Sequence, residues 1–411
     1  MMFLEELKKR GILKQISNEE KFLNLPNEYK AVYGGFDPTA SSLHLGNYIL
    51  ISILKRFQLA GFRTYALIGG ATGMIGDPSF NDSERVLLDQ AKVDENKKKI
   101  KKQLESFGLQ VLDNYEFYSN TGVLEFLRDT GKLLNVASMM SKDSVVRRIE
   151  RGLSFTEFSY QLLQGNDWLK LYSDKKVSVQ VGGSDQWGNI TSGLDMITKI
   201  HGDKHQAVAL TFQLLTDENG QKIGKSTGGG ALWLDKSLAS PFQMYQYLFN
   251  QSDESVEKLL YWLTFLSVEQ IEKLIVEHKK DTKNHLAQST LASEVTKDIF
   301  GEKELNNAKN ITKFLFDKSF DIFSLDADQI ELMSEYIKTV NIQIGKNLID
   351  ELIFTKILSS RREAREFIAQ KALKLDDIII DENTIYEPKN FNKKYSIFKK
   401  GKKQSIIIKA I

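Results

Sequence analysis

The chain has 411 residues, 56 Lys and Arg against 54 Asp and Glu, a net charge of +2 and 41% hydrophobic residues. That length exceeds what one core usually organises, so two or three domains are expected, and the apolar content is too high for a disordered chain. Cysteine is absent, which excludes disulfide frameworks, thiolate nucleophiles and cysteine metal sites and suits a reducing compartment, the cytoplasm.

The opening MMFLEELKKRGILKQ mixes acids with bases and reads as an amphipathic helix, not a targeting peptide. No later apolar run approaches the roughly 18 residues of a membrane span. Three short β-branched or aromatic runs then share one ending. Lys30 to Tyr33 meets Gly34-Gly35, Tyr65 to Ile68 meets Gly69-Gly70, and Val177 to Val181 meets Gly182-Gly183. Each predicts a strand stopped by paired glycines. Between the first two, Leu50, Ile53, Leu54 and Phe57 form a helical stripe before Gly61. The alternation predicts an α/β fold with a parallel sheet and crossover helices. Ligands of such sheets gather at the carboxyl ends of strands, where these glycines stand.

The KKKIKK run at Lys97–Lys102 reads as a solvated helix face, and His201 and His205, four apart but split by Gly202, as surface histidines rather than metal ligands. From Pro241 to about Asp317 the chain is rich in Leu, Lys and Glu at helical spacing, without further proline. Residues 318–341 are weakly patterned. From Ile342 onward 15 Lys and Arg face 9 Asp and Glu, a surplus of +6 that leaves −4 for the rest. This predicts a small basic module on a mildly acidic body. Ser360-Arg361-Arg362 and Arg365 fall on a predicted helix, and Lys399-Lys400 with Lys402-Lys403 near a last strand.

Two nucleotide signatures fail. Gly220 and Gly224 of ENGQKIGKS are one residue too close for a Walker A loop, and Gly70, Gly73 and Gly76 miss the dinucleotide spacing. TASSLHLGN, Thr39 to Asn47, instead opens a helix, whose free N–H groups and positive dipole end suit phosphate. His44 and Asn47 lie one turn apart there, each able to donate to a phosphate oxygen as charge builds up. Lys222 and Lys225 in a glycine-rich loop can close over a triphosphate and retreat afterwards. Tyr160, Gln164 and Asp167 are spaced to share one helix face, which on spacing alone is more often the solvent side.

HLGN and KIGKS, in this order and separation, resemble the HIGH and KMSKS signatures of class I aminoacyl-tRNA synthetases. YGGFDPTASSLHLGN, LIGGATGMIGDPS, SFTEFSYQLLQGNDW and QVGGSDQWGNI narrow the resemblance to the bacterial tyrosyl branch, over nearly the whole chain. The resemblance implies a Rossmann-like catalytic domain over 1–230, an α-helical anticodon-binding domain over 231–320, a linker over 321–341, and an RNA-binding module of ribosomal-protein type over 342–411. It places Tyr33 and Asp167 on the phenol of L-tyrosine, Asp77, Tyr160 and Gln164 on its amino group, and Gln180 and Gln186 as orienting groups, with Asn114 in support. It places Gly35, Asp37, His44, Gly183, Asp185, Arg85, Lys225 and Ser226 on ATP, and Thr39, His44, Asn47, Lys222 and Lys225 in catalysis. Spacing alone equally makes Asp185 a helix N-cap.

The resemblance further implies ATP as a substrate accompanied by Mg²⁺ without a dedicated protein metal site, tRNA(Tyr) as partner, and a homodimer. The chain departs from the family at Asn47, in place of a second histidine, and at Phe80-Asn81-Asp82, where lysines are usual. Leu375-Asp376-Asp377 replaces a glycine-containing turn of the RNA-binding module. A tryptophanyl enzyme is the near alternative, which Tyr33 and Asp167 argue against because indole has no phenol oxygen. A nucleotidyltransferase would have no use for the basic module, and an RNA-binding protein on a retired synthetase scaffold none for intact HLGN and KIGKS.

Overall fold

A computed structural model of the chain describes residues 2–79, 89–150, 152–215, 231–317, 319–401 and 404–411. It divides into one unit of residues 1–239 and 247–295 and a second of 240–246 and 296–411.

The first unit is built on six strands: β1 (Leu13–Ile16), β2 (Ala31–Phe36), β3 (Arg63–Ile68), β4 (Gln110–Asp113), β5 (Val179–Gly183) and β6 (Val208–Phe212). Their order is β1-β6-β5-β2-β3-β4, parallel except for β1, which pairs antiparallel with β6. Ala31, Val32 and Tyr33 are all buried, as expected of a strand with both faces covered. Helix Leu45–Leu59 joins β2 to β3, with Ile53, Leu54 and Phe57 buried. From β2 the chain winds outward through β3 and β4 on one side, then through β5 and β6 on the other. The reversal lies between β2 and β5, where ligands of such sheets bind.

The expected strands are present, but two do not stop at their glycines. Gly34 and Gly35 still pair with Ala66 and Leu67, and Gly182 with Thr211. Only β3 ends before its pair. There a Cβ on Gly69 would overlap a carboxylate oxygen of Asp37, and one on Gly70 would overlap Asp113. The glycines therefore admit side chains against the backbone at the sheet's carboxyl edge. In KKKIKK, Ile100 is buried and Lys97 pairs with Asp94 at 2.9 Å and Asp113 at 2.8 Å, while the other lysines are exposed. His201 and His205 each bond a neighbouring hydroxyl, of Ser173 at 2.9 Å and Thr198 at 3.1 Å.

Residues 231–320, expected as one helical domain, are helical but divided between the two units. Residues 247–295 join the first unit through two arginines. Arg10 donates to the carbonyls of Tyr261 and Leu266, and buried Arg56 to those of Tyr261, Trp262 and Thr264. These cations cover the carboxyl end of helix Asp253–Leu263, where the dipole favours positive charge. Burial, with Arg10 beside it, lowers Arg56 to a pKa of about 9.

The second unit holds β7 (Thr339–Ile342), β8 (Leu373–Leu375), β9 (Ile378–Ile379), β10 (Tyr395–Lys400) and β11 (Gln404–Ala410), in the order β7-β11-β10-β8-β9. Alternation along β10 and β11 feeds two cores. Phe398, Ile406 and Ile408 pack with Leu348, Leu352 and Leu358, whereas Tyr395, Ile397 and Ile407 pack with Ile330, Met333 and Ile337. Residues 321–341 are thus not an open linker. They form helix Ala327–Ser334 and strand β7, and their apolar side chains cover one face of the sheet. Asp376 and Asp377 take the left-handed conformation between β8 and β9, with φ of 48° and 64°. Aspartate tolerates this better than most residues, so the tight turn forms without glycine. The basic residues are met by counter-charges within the module: Arg361 pairs with Asp350, Arg365 with Glu382, and Lys400 of β10 with Glu363.

Candidate active site

A cavity of about 390 Å³ opens at the switch point between β2 and β5. Tyr33, Gly35, Asp37, Thr39, His44, Asn47, Asp77, Tyr160, Gln164, Asp167, Gln180, Gly183 and Gln186 all line it. A neighbouring cavity of about 260 Å³ shares His44, Asn47 and Gly183 and adds Asp185. Both lie within the first unit. Arg85, Lys222, Lys225 and Ser226 lie outside the described residues.

Helix Phe155–Lys175 turns Tyr160, Gln164 and Asp167 into the cavity, the reverse of the solvent face their spacing alone favours. Asp167 is 2% exposed. One oxygen accepts from Asn114 Nδ2 at 2.9 Å and the other from the Tyr118 hydroxyl at 2.6 Å. Burial, partly offset by these donors, raises its pKa to about 7. Among the described residues the buried Tyr33 hydroxyl has no hydrogen-bond partner, nor have Oε1 of Gln164 and Oε1 of Gln180. Stranded polar atoms of this kind are costly, so together they mark a surface shaped for a polar ligand.

In the same cavity, Asp37 accepts from the Tyr160 hydroxyl at 2.9 Å and from Thr72 at 2.8 Å. Asp77 accepts from Gln186 at 2.6 Å and from Asn189 at 3.3 Å. Asp77, Tyr160 and Gln164 line the same cavity, with the Tyr160 hydroxyl bonded to Asp37 and Asp77 close enough to act on it electrostatically. Asp185 is not a helix N-cap. That position belongs to Gln186, whose side chain makes no cap bond.

At HLGN the structure corrects the expectation of free helix-start N–H groups. Leu45 N donates to Leu232 O at 2.8 Å, Gly46 N to His44 Nδ1 at 3.0 Å, and Asn47 N to His44 O at 2.8 Å. Asn47 Oδ1 in turn accepts from His44 N at 3.0 Å, closing a capping box. Because Nδ1 accepts, the proton of neutral His44 sits on Nε2, and burial lowers the ring's pKa, keeping it neutral. What remains for an anion is His44 Nε2–H, the Asn47 amide and the dipole. Leu43 and Leu45 also pair with Leu234 and Leu232, which anchors the chain just past the KIGKS segment beside HLGN.

The family model for class I tRNA synthetases (W and Y) matches residues 26–317, and that for the Tyrosine--tRNA ligase SYY-like C-terminal domain matches residues 329–408. The chain belongs to the class I tRNA synthetases. The synthetase is 59% identical over 411 residues to the tyrosine–tRNA ligase of Mycoplasmopsis agalactiae (strain NCTC 10123 / CIP 59.7 / PG2), covering 100% of both. It is 44% identical over 409 residues to that of Ureaplasma parvum serovar 3 (strain ATCC 27815 / 27 / NCTC 11736), covering 98% of each. A C-terminally truncated mitochondrial tyrosyl-tRNA synthetase from Aspergillus nidulans shares its fold with a TM-score of 0.69 at 29% identity, over 77% of this chain and 94% of that one.

Two residues that donate to carboxylates of the synthetase's cavity, Tyr118 to Asp167 and Asn189 to Asp77, were not among those the sequence singles out. Tyr118 stands four residues after Asn114, and Asn189 three after Gln186. Both are helical neighbours of a residue already singled out, and that spacing was the available signal.

Proposed function

We propose that this synthetase activates L-tyrosine with ATP and transfers it to the 3′-terminal ribose of tRNA(Tyr). The observation that carries the reading is the buried Asp167 carboxylate beside the unpartnered Tyr33 hydroxyl, an acceptor and a hydroxyl placed for a phenol. The tyrosine carboxylate, ionised at neutral pH, attacks the α-phosphorus in line. A new O–P bond forms, and the bond to pyrophosphate breaks. No side-chain nucleophile or general base is needed. The chain's part is positioning and the stabilisation of phosphate charge.

Tyr33 and Asp167 hold the phenol. Asp77, Tyr160 and Gln164 serve the amino group, with Gln180 and Gln186 orienting the molecule. Because Tyr160 donates to Asp37, that carboxylate stands close to the amino group as well as on the ATP side. Gly35, Gly183 and Asp185 border the nucleoside. Thr39, His44 and Asn47 serve the phosphates, a role also assigned to Arg85, Lys222, Lys225 and Ser226. Mg²⁺ would accompany ATP, bound through its phosphate oxygens. In the second step a ribose hydroxyl attacks the activated carbonyl and AMP leaves.

The helices between 231 and 320 and the basic module over 342–411 grip the tRNA, with an affinity that falls as salt rises. Val123, Leu124, Leu127, Val136, Met140 and Phe155, exposed apolar residues of one stretch of the chain, support a homodimer. Among the described residues no helix is long and apolar enough to cross a membrane, and we place the reaction in the cytoplasm. ATP–pyrophosphate exchange tests the reading. Tyrosine should drive it, with phenylalanine and tryptophan near background. Exchange driven by tryptophan and not tyrosine overturns it.

A further inference from the structure

Asp167 has a partner that the proposed function does not require. The hydroxyl of Tyr118, at the end of the short helix Tyr115–Tyr118, lies 2.6 Å from Asp167 Oδ1 and 2.9 Å from the carbonyl of Leu163. A hydroxyl has one proton, and the shorter, charge-assisted contact takes it. Asn166 Nδ2 donates to the Tyr118 oxygen at 3.3 Å, and the Thr130 hydroxyl donates to Asn166 Oδ1 at 3.4 Å. The donors thus run in one direction and end on the carboxylate. The ring itself is fixed edge-on against Phe126, with centroids 5.9 Å apart.

We propose that Tyr118 is a specificity-determining positioning residue, whose hydroxyl holds Asp167 ionised and oriented to accept the phenol of the amino-acid substrate. The inference rests on the reading of Asp167 as the phenol acceptor. An ionised carboxylate only accepts, so a substrate lacking a hydroxyl leaves it stranded. A protonated one satisfies itself more easily and discriminates less. Asn114 and Tyr118 occupy one lone pair on each oxygen and leave one on each for the substrate.

The charges and phenols around Asp167 give the direction of the effect. Tyr33 from β2, Tyr118 from its helix and Asp37 beyond β2 face it, with Tyr160 and Lys170 on its own helix. Asp37 and burial favour the neutral form, whereas Lys170, Asn114 and Tyr118 favour the charged one. Removing the Tyr118 hydroxyl removes a group that lowers the Asp167 pKa. The pKa rises, and the charged form moves to higher pH.

The test is Tyr118→Phe in the full-length chain, which keeps the ring against Phe126, assayed by exchange beside Asp167→Asn. At pH 7 Tyr118→Phe should raise the tyrosine KM and lower the preference for tyrosine over phenylalanine by about tenfold, the equivalent of about 1.4 kcal/mol. The ATP KM should stay within about twofold, and the defect should shrink by pH 9 as Asp167 ionises. If Asp167→Asn impairs tyrosine preference while Tyr118→Phe leaves KM, preference and pH profile unchanged, the role of Tyr118 is overturned alone. Parallel losses toward tyrosine and ATP without pH dependence mark a merely structural residue and overturn it too. If Asp167→Asn itself spares tyrosine preference, the phenol-pocket reading falls and this inference with it.

Discussion

The two ends of the cavity are built on opposite plans. Around Asp167 the described residues supply a nearly complete constellation: a buried carboxylate, two donors fixing its oxygens, and the unpartnered hydroxyl of Tyr33. At HLGN the backbone donors of the helix start are already spent on Leu232, His44 Nδ1 and His44 O. Only side-chain donors and the dipole remain. Selecting a small aromatic alcohol calls for rigid, preformed pairing. A triphosphate that must enter and leave as pyrophosphate is better served by groups that come and go. The contrast predicts that phosphate chemistry draws on residues 216–230, followed by a segment that pairs with Leu43 and Leu45 beside His44, while tyrosine recognition does not.

The strongest way to break that contrast is Lys225→Ala. Removing one preorganised donor to a developing anion typically costs about 10²–10³ in rate. Single-turnover adenylate formation should fall by about that factor, with tyrosine affinity by equilibrium dialysis within about twofold. A rate within about twofold of the parent, or a matching loss of tyrosine affinity, erases the division of labour.

The same contrast explains what was legible in the sequence. The strands at Tyr33, Ile68 and Val181 and the glycines after them are local signals, as is the helical spacing of Tyr160, Gln164 and Asp167. They sufficed to place one sheet edge and to group three side chains on one helix face, but spacing alone turned that face to solvent and only the resemblance turned it to the ligand. Strands β1, β4 and β6 are short and take their identity from pairing partners far along the chain. The meeting of Asp37 with Thr72 and Tyr160, across 35 and 123 residues, is likewise invisible in local pattern. Residues 321–341 looked like a linker because their apolar residues are spread over a short helix and a strand. Both become a wall only once β10 and β11 present Tyr395, Ile397 and Ile407 to them. The capping box at His44 and Asn47 could have been read from its three-residue spacing. The helix-start donors that a phosphate site would use are taken up by that box and by Leu232.

pH offers a way to sharpen the contrast. Burial raises Asp167 to about 7, whereas burial pushes His44 below its ordinary value, so His44 stays neutral above pH 6.5. The phenol end should therefore titrate and the phosphate end should not. A group whose acid form dominates below pH 7 is about one-tenth ionised a unit lower. The tyrosine KM should fall by up to about fivefold as pH rises from 6 to 7, by up to about tenfold in all by pH 8, and level off above that, while the ATP KM stays flat above pH 6.5. A flat tyrosine KM would show that the charge on Asp167 does not matter to binding.

Asn47→Ala gives the smallest and finest test. Asn47 Oδ1 accepts from the backbone N–H of His44, so its loss removes one half of the capping box, while the bond from Gly46 N to His44 Nδ1 stays. A single neutral hydrogen bond contributes about 0.5–1.5 kcal/mol. Alanine in the first turn recovers up to about 0.7 kcal/mol of helix propensity over asparagine. The two nearly cancel, and the denaturant midpoint should barely move. Adenylate formation then reads the amide donor almost alone. If the amide touches a phosphate oxygen only as charge builds up, the rate should fall about three- to tenfold with substrate KM values unchanged. An unchanged rate with a lowered midpoint would make Asn47 a cap and nothing more, leaving His44 Nε2–H as the one side-chain donor that HLGN contributes to the phosphates.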